Sequence, residues 1–192
     1  RGDAASPVFG VGGDLDGGSE VIPVIYQEGA VSAASFAPGA MPLAPGAIVS
    51  LFGQDLALTS EAATRLPLPR QLAGVRVLVG GLEAPLLAVV AGVAGGAAQI
   101  NFQAPVELAG LTYADVVVEN NGFSSAPQAI SLVPALPALF TRSQDGRGAA
   151  AALHADFALV AVQSPARPGE TILLFATGLM LDPSRMSRKA AE

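Results

Sequence analysis

The chain has 192 residues, of which 51 % are hydrophobic and 14 % charged, with 22 Gly, 15 Pro, no Cys and a formal net charge of −6. High hydrophobicity with few charges excludes a disordered chain, which combines the opposite properties, and an isoelectric point near 4.7 opposes nucleic-acid binding, which needs a basic face. Without cysteine there is no disulfide, thiolate metal site or thiol nucleophile.

A compact chain of this length buries roughly 70 % of its unfolded surface. The abundance of Gly and Pro over Glu, Lys and Arg suits short strands joined by turns better than helices, so the expectation is all-β. The longest apolar stretch, Ala84 to Ala98, contains Pro85 and a glycine cluster and falls short of the ~20 residues that span a bilayer; no membrane span is expected. Lys189 is the single lysine, which discounts a Lys–Asn isopeptide crosslink. The start at Arg1 shows neither an initiator Met nor a signal pattern, and reads as a mature or trimmed form whose export signal has gone.

In chain order, residues 1–29 form a leader: a Gly/Asp-rich piece from Gly10 to Ser19, then strand-like Val21 to Tyr26 with Pro23 inside it. Proline removes a ladder donor, so this is an edge strand, or a strand donated to a neighbour, or a leader packed on its own domain. Strands are expected near residues 31–36, 47–53, 74–80, 85–90, 98–103, 113–119 and 125–133, the number and spacing of one immunoglobulin-like β-sandwich over residues 30–133. Val75, Val77 and Val79 alternate onto one face, as do Ile100 and Phe102. Asn121-Gly122 between Val116 to Glu119 and Phe123 signals a hairpin, because both turn residues must take positive φ.

After the Pro-punctuated Val133 to Pro137, a second unit opens over residues 134–192. Ala138 to Thr141 reads as a fresh first strand, Asp145 to Gly148 as a turn, Ala149 to Leu159 as a small hairpin or short helix, and Thr171 to Ala176 as a strand. That last strand is an echo: Ala44 to Leu56 returns as Arg167 to Leu179, with Pro45/Pro168, Gly46/Gly169, Phe52/Phe175 and Leu56/Leu179 each offset by 123 residues. The second unit is incomplete, and its open edge requires a cover.

Several motifs touch on chemistry. Asp14 and Asp16 ahead of Gly17, with Glu20, resemble the opening of a calcium loop, in which alternating carboxylates meet a hard cation; the later ligands are missing, and a solvated acidic turn is the alternative. His154 with Asp156 suggests acid/base work, against a structural histidine without a nucleophile. Arg1-Gly2-Asp3 matches an integrin tripeptide by coincidence. The Gly92 to Gly96 run lacks the ending of a phosphate loop. Asp145 to Gly148 reads as a tight turn with an ion pair rather than an anion site. No catalytic residue, cofactor site or cofactor is expected.

Glu28 to Phe36, the Ala44 to Gly53 strand, Leu66-Pro67-Leu68-Pro69, Gln99 to Pro105, and Gly146 to Ala151 through Ala176 to Leu179 together carry a family resemblance. Over about residues 28–182 the chain resembles the uncharacterised C-terminal domain of secreted proteins of Acidobacteria such as Solibacter. The resemblance implies exported, Ig-like modules in the style of IPT/TIG domains, usually at the end of larger surface proteins, with no known active-site residues. Family members commonly continue past Ala-Thr-Gly-Leu through strands that finish the second sandwich. This chain runs into Ser184 to Glu192 instead, as a truncation or because pairing comes from elsewhere, another copy of residues 1–29 included.

The expectation is therefore a non-enzymatic extracellular or cell-surface structural protein, partnered by copies of itself or other surface modules, with filament building by strand donation as one form. The alternative is an extracellular ligand- or carbohydrate-binding module, disfavoured by an aromatic content of 5 % and no Trp.

Overall fold

The computed structural model describes residues 21–93 and 96–180. Its strands are β1 (Val24–Ser32), β2 (Ile48–Gln54), β3 (Glu61–Ala62), β4 (Val75–Val79), β5 (Leu82–Glu83), β6 (Leu86–Val90) and β7 (Ala98–Gln103). A three-residue 3-10 turn at Val106–Leu108 follows, then β8 (Tyr113–Asn120), β9 (Phe123–Ser124), β10 (Gln128–Ser131), β11 (Ala138–Leu139), β12 (Ala152–His154), β13 (Ile172–Leu174) and β14 (Ala176–Thr177). The chain is all-β.

The first unit is a sandwich of two antiparallel sheets. One runs β1-β2-β7-β6-β3; the other runs β10-β8-β4-β5, with β9 also on β8. Alternation builds the core between them: Val49 and Leu51 of β2, Ile100 and Phe102 of β7, Val75, Val77 and Val79 of β4, and Val116 and Val118 of β8 are all fully buried. Leu43, Leu56, Leu72, Leu108 and Leu132 close its ends. The Asn121-Gly122 turn has φ of 48° and 93°, as a two-residue hairpin requires, and Asn120 pairs with Phe123 across it.

Two features depart from the sequence-based reading. Residues 24–32 form one edge strand, crossing the expected boundary at residues 29/30, rather than a leader strand and a separate strand at 31–36; Ala33 to Ser35 are a turn. Pro23 stands just before β1 and removes no ladder donor from it. Val24 and Ile25 pair with Gln54 and Gly53, residues 26–29 bulge out, and pairing resumes at Ala30. Gly29 permits the bulge, since a Cβ there would lie 2.5 Å from the Phe52 carbonyl oxygen. The short β3, β5 and β9 were not foreseen.

The second unit repeats the start of the first in register. In the first, β1 sets Val24 against Gln54, Ile25 against Gly53, Ala30 against Leu51, Val31 against Ser50 and Ser32 against Val49. In the second, β11 sets Ala138 against Thr177 and Leu139 against Ala176. There β12 sets Ala152 against Leu174, Leu153 against Leu173 and His154 against Ile172. All five pairs correspond once β2 is advanced by the 123-residue offset of the sequence repeat. The turns that feed the two strands also agree. Ala47 N donates to Ala44 O and Glu170 N to Arg167 O, both at 3.1 Å, with Gly46 at φ 75° and Gly169 at φ 83°: two type II turns with Pro then Gly at their centres.

The difference lies in the excursion that interrupts the edge strand: residues 26–29 in the first unit, 140–151 in the second. Beyond that, β2 carries β7 on its other edge over six residue pairs. Among the described residues β13 pairs with β12 alone, and no strand takes the corresponding edge.

Candidate functional site

Asp14, Asp16 and Glu20, the expected calcium candidates, lie outside the described residues. Among the described residues no group of three or more His, Cys, Asp or Glu side chains comes together as a metal site, and no helix is long and apolar enough to cross a membrane.

His154 is placed by β12 at the end of the β12–β13 ladder, opposite Ile172. Asp156 does not reach its ring; its Oδ1 accepts from Ala158 N at 3.0 Å and shapes the following turn. The partner is Glu170, at the end of the Pro168-Gly169 turn. Its Oε1 accepts a hydrogen bond from His154 Nδ1, while its Oε2 accepts from Arg167 N at 2.9 Å. On the other side of the ring, Nε2 lies 3.1 Å from the Ser164 carbonyl oxygen and 3.2 Å from Ser164 Oγ.

A hydroxyl, an imidazole and a carboxylate in sequence have the outline of a nucleophilic triad. Nδ1 faces a carboxylate, and Nε2 faces both a carbonyl and a hydroxyl: the protonated ring donates on both sides, and the neutral ring, with its proton on Nδ1, accepts from Ser164 Oγ. In the protonated form the ring has no lone pair with which to take a proton from Ser164, and the surroundings favour that form. The electrostatics agree: the Glu170 hydrogen bond, then the Ser164 carbonyl, hold His154 above its ordinary value, and His154, then the Arg167 amide, hold Glu170 below its own. The trio is a clamp tying β12 to the segments at Ser164 and Glu170. In the first unit the corresponding positions are Ser32 and Ala47, both buried; the clamp stands where the first unit has a packed end.

Asp145 to Gly148 is a tight turn, held by amide and hydroxyl donors rather than by an ion pair. Asp145 Oδ1 accepts from Arg147 N at 2.9 Å and from Ser143 Oγ at 2.5 Å, and these bonds, the Ser143 one foremost, lower its pKa. The turn also docks the units. Gly146 lies so close to the first unit that a Cβ on it would come 1.8 Å from Ser35 O. Nearby, Ile48 N donates to Thr177 Oγ1 at 2.7 Å across the interface.

Beside this interface is a cleft of about 920 Å³, with no charged residue in its lining. The outer face of β2 and β7 supplies Ser50, Gln99 and Asn101. Ser50 Oγ and Gln99 Nε2 each donate to Asn101 Oδ1 at 2.8 Å. The second unit supplies Phe140, Leu174 and Phe175.

Strand β13 is apolar and exposed along its length: Ile172, Leu173 and Leu174 are 37 %, 40 % and 50 % exposed, whereas their counterparts on β2, Val49, Ser50 and Leu51, are at most 1 % exposed. No family model, curated protein or solved structure matches the chain.

Proposed function

We propose that this chain is a non-enzymatic structural protein of the cell surface, exported and built from immunoglobulin-like modules, whose second module is finished by an added β-strand during assembly. The observation that carries the reading is the apolar edge of β13, unpaired among the described residues, in a unit whose register otherwise repeats that of a fully covered one. Strand addition to such an edge is a recurrent mode of protein assembly, in which main-chain hydrogen bonds give affinity and alternate side chains give specificity. The family resemblance to secreted acidobacterial domains supports export. The partner is a copy of this chain or a related surface module. Val24 and Ile25 are engaged in their own unit, so the added strand is not drawn from them.

Analytical ultracentrifugation over a wide concentration range, with electron microscopy of the same samples, tests the reading. Higher assemblies that grow with concentration are expected; a dispersed monomer at every concentration overturns it. Surface labelling of intact cells with an antibody to the protein tests export.

The cleft between the units favours a second reading, a ligand-binding module. Its volume falls within the usual range for small-molecule sites, roughly 300–1,000 Å³, and an uncharged lining with amide groups suits a neutral, hydroxyl-bearing ligand. A reproducible glycan-array hit that is lost in Asn101→Ala would favour it.

A further inference from the structure

We infer that Ser164 is a nucleophile gated by the protonation state of His154: with the ring neutral, its hydroxyl takes an acyl group from an ester with a good leaving group and holds it as a serine ester. The groups involved lie within residues 154–170 and are anchored by β12, whose pairing with β13 is in place. The site therefore depends neither on what meets the other edge of β13 nor on the structural role proposed above.

Two successive tight turns bring the groups together. In the first, Phe157 N donates to His154 O at 3.0 Å and His154 N to Ala158 O at 2.8 Å; in the second, Ala161 and Ser164 exchange N–H to carbonyl bonds, both at 3.0 Å. The chain doubles back and sets Ser164 Oγ 3.2 Å from His154 Nε2. Ser164 is exposed, whereas the imidazole side chain is only 12 % exposed, so the hydroxyl meets an incoming ester with the ring behind it. A cavity of about 600 Å³ opens beside them, with Asp156, Gln163 and Arg167 also in its lining.

Glu170 decides which nitrogen is the base. Its Oε1 holds a proton on Nδ1, so the neutral ring has its lone pair on Nε2, where Ser164 Oγ donates to it. Oγ then attacks the acyl carbonyl carbon and the hydroxyl proton moves to Nε2. The bond from that carbon to the leaving group breaks, and the leaving group departs with its electron pair and takes the proton from Nε2. Glu170 foremost, and Asp156 least, favour the imidazolium, in which Nε2 has no lone pair. Arg167, the cation in the cavity lining, favours the ionised form of Glu170. The nucleophile is thus silent in mild acid and appears as the pH rises through the titration of the ring.

The same turns limit the chemistry. Ser164 N is given to Ala161 O, Pro165 has no N–H, and Arg167 N is given to Glu170 Oε2. These amides are lost to a tetrahedral oxyanion, for which one donor is worth about 10²–10³ in rate. An activated ester acylates Ser164 all the same, while the alkyl ester that results has a poor leaving group and persists.

Treatment of the full-length chain with p-nitrophenyl acetate from about pH 5 to about pH 9, with mass mapping of the acetyl group, tests this. An acetyl ester is expected at Ser164, released by hydroxylamine, unlike acetyl amides at the N-terminal amine and Lys189. Its rate should level off above the midpoint at which the single histidine titrates by NMR. Glu170→Gln should shift that profile to lower pH, a direction that loss of structure does not produce. His154→Asn should slow the labelling about a hundredfold, the low end for a general base, and Ser164→Ala should abolish it. Labelling of Ser164 no faster than of Ser143, whose hydroxyl faces Asp145 and no imidazole, overturns the inference. So does a rate that climbs about tenfold per pH unit without a plateau, the mark of hydroxide rather than a positioned base, and so does continuous turnover with no accumulated ester. If His154→Asn unfolds the second unit, the native chain's plateau and the comparison with Ser143 decide.

Discussion

Leu174 faces Ala152 in the second unit as Leu51 faces Ala30 in the first, yet Leu51 is 0 % exposed and Leu174 50 %. The same ladder position therefore carries very different energetic weight. Truncating Leu51 to Ala leaves a cavity between well-packed sheets and is expected to cost about 2–5 kcal/mol. Truncating Leu174 removes a side chain already half in water and is expected to cost less than about 1 kcal/mol. Urea unfolding of the two variants, followed by circular dichroism, reads the difference; equal losses contradict the unequal burial.

A second expectation concerns Ser125, which is buried and does two things at once. Its Oγ accepts from Val118 N at 3.0 Å and donates to Ala126 O at 3.0 Å, closing the end of the β8–β9 hairpin. Ser125→Ala leaves the Val118 amide without its partner inside the sandwich. The expected loss is about 1–3 kcal/mol, measured as a lower unfolding midpoint, while Ser124→Ala on the exposed side of the same hairpin changes little.

The clamp predicts a pH response in the second unit. Glu170 is held below its ordinary value of 4.5, so its contribution is present above about that pH and is lost as the pH falls through the lower folded value. His154 is held above its ordinary 6.5, so its contribution is full below about 6.5 and is lost as the pH rises through the higher folded value. The clamp is thus tightest in mildly acidic solution. His154 is the only histidine in the chain, so its ring resonances are unambiguous. An NMR titration should give a midpoint above 6.5 that falls in Glu170→Gln; an unchanged midpoint in the variant removes the Glu170 contact as the cause.

Docking of the two units is expected to depend on Gly146 and Thr177. A Cβ at residue 146 would meet Ser35 O at 1.8 Å, in a backbone already at φ 74°, so Gly146→Ala must push the excursion off the first unit. Thr177→Val takes the acceptor from Ile48 N at a cost of about 1 kcal/mol. Limited proteolysis should cleave within residues 140–151 faster in Gly146→Ala than in the native chain, with the first unit's unfolding midpoint preserved.

Much of the first unit was legible in its residues because the signals are local. The alternating Val75, Val77 and Val79 and the Asn121-Gly122 turn each fix a backbone geometry within a few residues. The Pro-Gly echo at Pro45 and Pro168 marked a repeat that the structure extends to turn type and ladder register. What stayed hidden is non-local. The continuity of β1 across Gly29 depends on a carbonyl of β2 approaching too closely for any Cβ, and no periodicity reveals that. Glu170 lies 16 residues from His154, whereas Asp156 lies two away, so proximity along the chain favoured the wrong carboxylate. Only the pairing of β12 with β13 brings the right one to the ring. Two-residue ladders such as β3 and β5 are too short to carry a pattern at all.

The longer excursion at residues 140–151 has one further consequence. It changes nothing in the ladder that it interrupts, since pairing stops at Leu139 and resumes at Ala152 in the inherited register; yet it supplies Gly146, which sits against Ser35 of the preceding unit. The ladder and the contact between units are thus carried by different residues: β11 and β12 hold the strand pairing, while the excursion between them holds Gly146 against the first unit.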